Sequence, residues 1–278
     1  MIELNIPEGK SGPFSIIVHP EGGYYTFYGG VKKFTNKKTT FLYEGDTSWM
    51  SSTPLEYLHM CRAAQWCRLN DKALIGGLGL GVLPKLIEKK SSEIHIIELN
   101  QDVINLVWPH IKTEKMELYH TDIEEYLDHT DQKYNYIFLD TWSNADYLNL
   151  VYITRLKEKA KRILFPRGKV ICWCEYFMKK TLEQEYQQIA INFFKGLLPT
   201  NKKLFIHLAD KPYFFLFYLW LNGQQFKNLP AEEMKKLIGK QITKEIKDFC
   251  SGYWQNEMFV DKIKAMQNLA QVSTKGVV

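Results

Sequence analysis

"ALIGGLGLGVLPKLI", residues 73–87, is the stretch on which the fold turns. A short apolar run flows into Gly76, Gly77, Gly79 and Gly81, and a second apolar run containing Pro84 follows. Glycine costs backbone entropy, so a cluster this dense has a reason: a turn with positive φ, or another group lying close to the backbone. The pattern predicts a buried strand over 72–77, a glycine turn, and a helix over 82–90.

Beyond this unit the chain alternates. Strands are expected at 94–99, 116–121, 134–141 and 168–175, with helices at 101–110, 123–129 and 146–164. The last helix carries Leu148, Val151, Tyr152, Leu156, Ile163 and Leu164 on one face. Such alternation implies βαβ units and a parallel sheet covered on both sides. After a helix at about 180–196, the runs 202–208 and 213–221 are separated only by "ADKP". That is too short for a parallel crossover, so these two strands are antiparallel neighbours.

Ahead of the sheet, residues 12–34 and 37–44 are β-prone with Gly-Gly turns, which reads as a small antiparallel sheet. "EGDTSWMSSTPLEY" reads as irregular, ending where Ser52 or Thr53 caps a helix with Pro54 at its first position. Residues 230–270 read as helical. The expected fold is α/β: a seven-stranded sheet, parallel with one antiparallel strand at the terminal hairpin. An N-terminal antiparallel β region precedes it and C-terminal helices follow. The expected regions are 1–52, 53–225 and 226–278.

Composition narrows the class. With 45 % hydrophobic and 24 % charged residues the chain is an ordinary globular one, not a disordered one. "YFFLFYLWL" at 213–221 is too short to cross a bilayer, which takes ~20 helical residues. "MIELNIPEGK" lacks the basic start and apolar core of a signal peptide, so a cytoplasmic protein without a membrane partner is expected. Cys61, Cys67, Cys172, Cys174 and Cys250 form no metal-type pair and read as reduced and structural. A formal charge of +5, with lysines interleaved among acids, reads as a solvated surface. Nucleic acid is therefore expected to be an unlikely partner.

The turn itself sorts the possible ligands. Read from Gly77, the third glycine of a dinucleotide fingerprint falls on Val82; read from Gly76, the second falls on Leu78. No Gly-Lys-Ser/Thr follows, which excludes a P-loop. The spacing Gly77-x-Gly79-x-Gly81 on the first strand resembles motif I of class I S-adenosylmethionine (SAM)-dependent methyltransferases. "IIELN" ends the next strand with Glu98 and Leu99, "HTDIEEYL" brings Asp122 and Ile123, and "YIFLDTW" ends with Asp140. The resemblance implies that Gly77, Gly79, Gly81, Glu98, Leu99, Asp122, Ile123 and Asp140 line a SAM site. In it Glu98 receives the ribose hydroxyls, Asp122 the adenine amino group, Ile123 lies on the ring, and Asp140 marks the reaction site. All sit at carboxyl ends of parallel strands, where open α/β sheets bind ligands. The acid often found two residues before the first glycine is Ile75 here.

Within that superfamily, the N-terminal sheet, the helix bearing Glu56 and "IGG…GVL" resemble the spermidine synthases, or aminopropyltransferases. Their catalytic segment reads D-S-x-D-P; this chain has Asp140-Thr141-Trp142-Ser143-Asn144, keeping the first aspartate alone. Pro54 and Leu55 stand where those enzymes place a Tyr-His or Tyr-Gln pair before the glutamate. "FLDTW" also resembles the F-L-D-H-W of catechol O-methyltransferases, whose aspartate binds magnesium. Their later Asp-Asn pair is replaced by "CWCEYF", so no metal ligand set is expected.

The resulting expectation is a SAM-dependent methyltransferase acting on a small-molecule amine or hydroxyl, with Asp140 orienting or deprotonating the nucleophile. Tyr57, Thr141, Trp142, Tyr147, Trp173 and Glu175 are its expected pocket, with Tyr57 and Trp49 as a lid. The alternatives are an aminopropyltransferase using decarboxylated SAM, and a protein that binds or degrades SAM without transfer. The resemblance also implies a possible homodimer paired through the N-terminal sheet.

Overall fold

The computed structural model describes residues 4–19, 24–26, 32–34 and 38–194, together with 243, 244, 247, 250 and 251. It divides into two compact units, Met1–Asn144 with Leu156–Trp173, and Ala145–Arg155 with Cys174–Val278.

The first unit opens with β1 (Gly9–Ser11), β2 (Phe14–His19), β3 (Tyr24–Thr26), β4 (Lys32–Phe34), β5 (Thr39–Glu44) and β6 (Thr47–Ser51). β1-β2-β5-β6 form one antiparallel sheet, and β3 and β4 pair in a separate ribbon. β6 corrects the irregular segment expected after residue 44. Its first three residues are exposed, so the strand shows no alternation of apolar and polar positions to read. Its pairing to β5 also shifts register between Leu42 and Tyr43. α1 (Pro54–Ala64) follows with proline at its start, as expected. Thr53 holds the N-cap position, but its hydroxyl meets Ser51 Oγ at 2.9 Å instead of a helix amide.

The main sheet consists of β7 (Lys72–Gly76), β8 (Glu93–Glu98), β9 (Met116–His120), β10 (Tyr134–Leu139) and β11 (Leu164–Cys172). The order is β11-β10-β7-β8-β9 and every pairing is parallel. Between them run α2 (Val82–Ile87), α3 (Gln101–Ile111), α4 (Ile123–His129) and α5 (Leu150–Arg162). The described sheet thus has five strands, not the expected seven. The strands expected at 202–208 and 213–221, and nearly all of the helical region after 226, lie outside the described residues.

Ala73, Leu74, Ile75, Ile94, Ile96, Ile97, Ile137 and Leu139 are all buried, which is why these strands read as near-continuous apolar runs. α3 buries Val103, Ile104, Val107 and Ile111, each contributing ~1.5–3 kcal/mol relative to exposure. Asn100 caps it by accepting the Asp102 N–H at 2.9 Å. β11 begins four residues earlier than expected. "PRG" reads as a turn, yet the chain absorbs it as a bulge with Arg167 at φ 67°, Tyr134 pairing with Leu164 and Tyr136 with Lys169. α5 starts later than expected, after a 3-10 turn at Tyr147–Asn149 capped by Asp146. Its buried positions are Leu150, Ile153, Leu156 and Ala160, with the buried Ile163 just beyond its end, so Val151 and Tyr152 sit at the margin of the packing face and not at its centre.

The second unit contains the 3-10 turn and α6 (Glu175–Phe194), which pack on each other. Among the described residues no helix is long and apolar enough to cross a membrane.

Tyr136, fully buried in β10, donates its hydroxyl to the Ala63 carbonyl of α1 at 3.0 Å. Tyr136→Phe is expected to cost ~1 kcal/mol, read from the urea midpoint at unchanged slope. An unaltered midpoint contradicts the bond.

Candidate active site

The strand order reverses between β7 and β10, and the carboxyl ends on either side of that point frame the crevice where open α/β sheets take ligands. Gly76 ends β7, pairs with Leu139 and Ile97, and accepts the Asp140 N–H at 2.9 Å. Gly77 then turns with φ 98° and gives its own N–H to Ile97 O at 2.8 Å. A Cβ at Gly77 would lie 2.3 Å from the Asp140 carbonyl oxygen, a backbone atom that cannot step aside. Gly79 and Gly81 also have positive φ, and a Cβ there would meet Met50 Sδ at 2.2 Å and Ile111 Cδ1 at 2.4 Å. The Met50 thioether also accepts the Leu80 N–H at 3.2 Å. Gly77 is therefore required both by its backbone angle and by the Asp140 carbonyl, whereas at Gly79 and Gly81 the positive φ decides, because the side chains they meet can shift.

Glu98 closes β8 with its carboxylate turned onto this turn. Oε2 accepts the Leu78 N–H at 2.9 Å and Oε1 the Asn100 N–H at 2.8 Å. Burial pushes its pKa up, and the amides of Leu78, Asn100 and Leu99 pull it partly back. Leu99 is exposed, and its carbonyl accepts the His120 Nε2–H at 3.0 Å. Asp122 caps α4, Oδ1 taking the N–H of Glu124 at 2.7 Å and of Glu125 at 3.2 Å. Ile123 is buried, with its side chain 3.0 Å from where a Gly76 Cβ would stand.

Asp140 follows β10. Burial first, and the neighbouring Glu56 charge second, push its carboxyl up to about 8. Glu56, in the first turn of α1, is itself raised by burial, with the Trp173 indole offsetting part of that. Two carboxyls that feel one another's charge in a desolvated place resist ionising together. Trp173 is anchored by its N–H to Leu139 O at 3.0 Å, which carries the β10–β11 ladder one residue further. The Nε1 of the buried Trp142 has no hydrogen-bond partner. Tyr57 packs against the main core, and Thr141 Cγ2 lies 3.8 Å from the Gly77 Cβ position. Trp49, on β6, is exposed and donates Nε1–H to Glu44 at 2.8 Å. Tyr147 and Glu175 belong to the second unit, where Tyr147 opens the 3-10 turn and Glu175 pairs with Lys179 at 2.6 Å. Glu56 stands beside Asp140 although it is not among the expected site residues. In sequence it reads as an ordinary acid at a helix start, because its partner is reached only through the fold.

No family model matches the chain. It is 25 % identical over 167 residues to the polyamine aminopropyltransferases of Prochlorococcus marinus strains AS9601 and MIT 9301, which covers 55 % of this chain and 57 % of each of them. The chain thus spans a little over half the length of these curated relatives. Similar solved structures include the tRNA m1G37 methyltransferase of M. jannaschii (18 % identity, TM-score 0.38, 56 % of this chain and 42 % of that one). They also include the N-methyltransferase NodS of Bradyrhizobium japonicum WM9 (14 %, TM-score 0.37, 44 % and 68 %). The strand order and the motif positions fit a class I methyltransferase-type fold. One expectation is corrected. A tRNA complex of aTrm5 is among the similar structures (18 %, TM-score 0.38, 56 % and 39 %), so neither the exclusion of nucleic acid nor the restriction to a small-molecule acceptor is kept.

Two measurements probe the site. Gly77→Ala is expected to destabilise the fold by ~3 kcal/mol or more, because a strained φ and a backbone collision add. Gly81→Ala is expected to cost less, since the Ile111 side chain it meets can rotate. Urea unfolding of both orders them, and equal costs refute the Asp140 collision.

Asp140 binds a proton in the folded state up to about pH 8, whereas unfolded it releases it near 4. Its contribution to stability is therefore fully present below pH ~4 and is lost as pH rises towards 8. Asp140→Asn is expected to flatten that decline in unfolding free energy, and an unchanged decline refutes the raised pKa.

Proposed function

We propose that the strand-tip crevice binds a sulfonium nucleoside, SAM or decarboxylated SAM, and that the protein transfers a carbon group from it to an amine. The observation that carries this reading is the Asp140–Glu56 pair at the switch point, one helix and one strand tip contributing an acid each. A pair that shares negative charge in a desolvated place attracts a cationic nitrogen, whereas a neutral hydroxyl gains little from it.

The residues present suit such a donor. Three backbone amides, of Leu78, Leu99 and Asn100, use three of the roughly four lone-pair positions of the Glu98 carboxylate, so one remains to receive a ribose hydroxyl without breaking those bonds. Asp122 Oδ1 is committed to the cap, which leaves Oδ2 for an amino group. The indole N–H of Trp142, two residues after Asp140 in the chain, is buried and unpartnered and provides a further donor.

When bound, the donor supplies a carbon already activated on positively charged sulfur. The protein's work is then positioning and one proton. In its ionised form Asp140, whose pKa lies near 8, takes the ammonium proton and exposes the nitrogen lone pair. As the N–C bond forms and the C–S bond breaks, that proton rests on the carboxyl and leaves to water with the product. Glu56 keeps the pair's charge high enough for Asp140 to act as a base. The Trp173 and Trp142 rings exclude water from the approach.

Methyl transfer is the first reading, because the second aspartate and the proline of the aminopropyltransferase segment are absent from Asp140-Thr141-Trp142-Ser143-Asn144. Aminopropyl transfer is the second, favoured by the Glu56–Asp140 pair and by the two Prochlorococcus relatives. The full chain is tested with SAM and with decarboxylated SAM in turn, against amine acceptors. Asp140→Asn is expected to bind the donor within a few-fold of wild type while turnover falls ~10²-fold or more. Full turnover in that variant would falsify the assigned base, and the preferred donor decides between methyl and aminopropyl transfer.

A further inference from the structure

At the opposite end of the sheet, where the strands begin, a second polar cluster stands apart from the strand-tip site. Glu93 and His95 lie two residues apart on one face of β8, and Glu117 on β9 is the register partner of His95. His95 is 2 % exposed, whereas the carboxylates of Glu93 and Glu117 reach solvent. Its Nε2 lies 2.7 Å from Glu93 Oε1 and 3.5 Å from Glu117 Oε2, and the three ligand atoms all fall within 4.8 Å of one another.

We propose that Glu93, His95 and Glu117 form a binding site for a borderline-soft divalent cation of the Zn²⁺ type, open to water at its remaining position. One imidazole nitrogen carries at most one proton, so it can donate to Glu93 but not also to Glu117 at 3.5 Å. A metal ion in place of that proton bonds all three groups at once. With bonds of ~2.0–2.2 Å, ligand atoms around a tetrahedral ion stand ~3.4 Å apart. The His95–Glu117 spacing already has that value, and the His95–Glu93 hydrogen bond opens by less than 1 Å to match it. One imidazole with two carboxylates suits Zn²⁺ better than Mg²⁺ or Ca²⁺, which take all-oxygen shells.

The surroundings are those of a histidine ligand. Its other nitrogen, Nδ1, is 2.8 Å from the Tyr134 hydroxyl, and that hydroxyl is 2.5 Å from Tyr126 OH. Hydroxyls both donate and accept, so this pair can receive an Nδ1–H when Nε2 gives up its proton to the metal. Tyr119 hydrogen-bonds Glu117, and Lys72 binds the second oxygen of Glu93 at 2.7 Å. Lys72 balances one of the two negative charges and still leaves Oε1 facing His95. Such an ion would tie β8 to β9 at the end of the sheet away from the crevice.

The full chain, stripped with a chelator and dialysed, is titrated calorimetrically with Zn²⁺ alone. One equivalent is expected to bind, with affinity reduced at least tenfold in Glu117→Gln and in Glu93→Gln. Both substituted side chains are partly solvent-exposed, and the melting temperature of each metal-free variant controls for folding. No stoichiometric binding overturns the site, and so does binding left unchanged by either substitution, which places the ion elsewhere.

Discussion

One close approach organises the carboxyl end of the main sheet: the backbone of Gly77 lies so near the Asp140 carbonyl that only glycine fits between them. The same residue gives its N–H to Ile97, and the residue before it accepts the Asp140 N–H. The ends of β10, β7 and β8 are thereby joined at one point. Glu98 and Asp140 follow from that junction, one on each side of the turn. Any change that pushes the turn away from β10 moves both acids together, so geometry and chemistry at this end are a single property.

Much of this was legible from residues 73–87 outward. The apolar strands announced themselves because both faces are covered, and α4 was read to its observed ends from Ile123 to His129. The misreadings share a physical cause, which is the signal of a segment's own residues overruled by strand pairing. β6 is an exposed strand whose partner lies across a hairpin, so its polar residues looked like loop. Pro166-Arg167-Gly168 looked like a turn, yet pairing with β10 on both sides holds it inside β11 as a bulge.

At the site, position was easier to read than role. Glycine spacing and strand-ending acids mark the strand tips, but whether each glycine faces a ligand or the chain itself depends on Met50, Ile111 and Asp140, distant in sequence. Asp122 displays both readings at once, since it caps α4 with one oxygen and lies at a strand tip with the other. Glu56 stands out in sequence only as the glutamate of the aminopropyltransferase pattern, because nothing local marks a helix-start acid as the partner of Asp140. The Glu93–His95–Glu117 cluster likewise exists only through the register of β8 against β9.

The central claim is that the backbone between Gly77 and Gly81 and the amides beside Glu98 form one receiving surface for a nucleoside. Amide hydrogen exchange of the full chain, followed with and without S-adenosylhomocysteine, tests it most directly. The account predicts slower exchange at Leu78 to Gly81 and at Leu99 and Asn100, with β1 and β2 unaffected. Unchanged exchange across the turn, or protection confined to residues away from the strand tips, contradicts it.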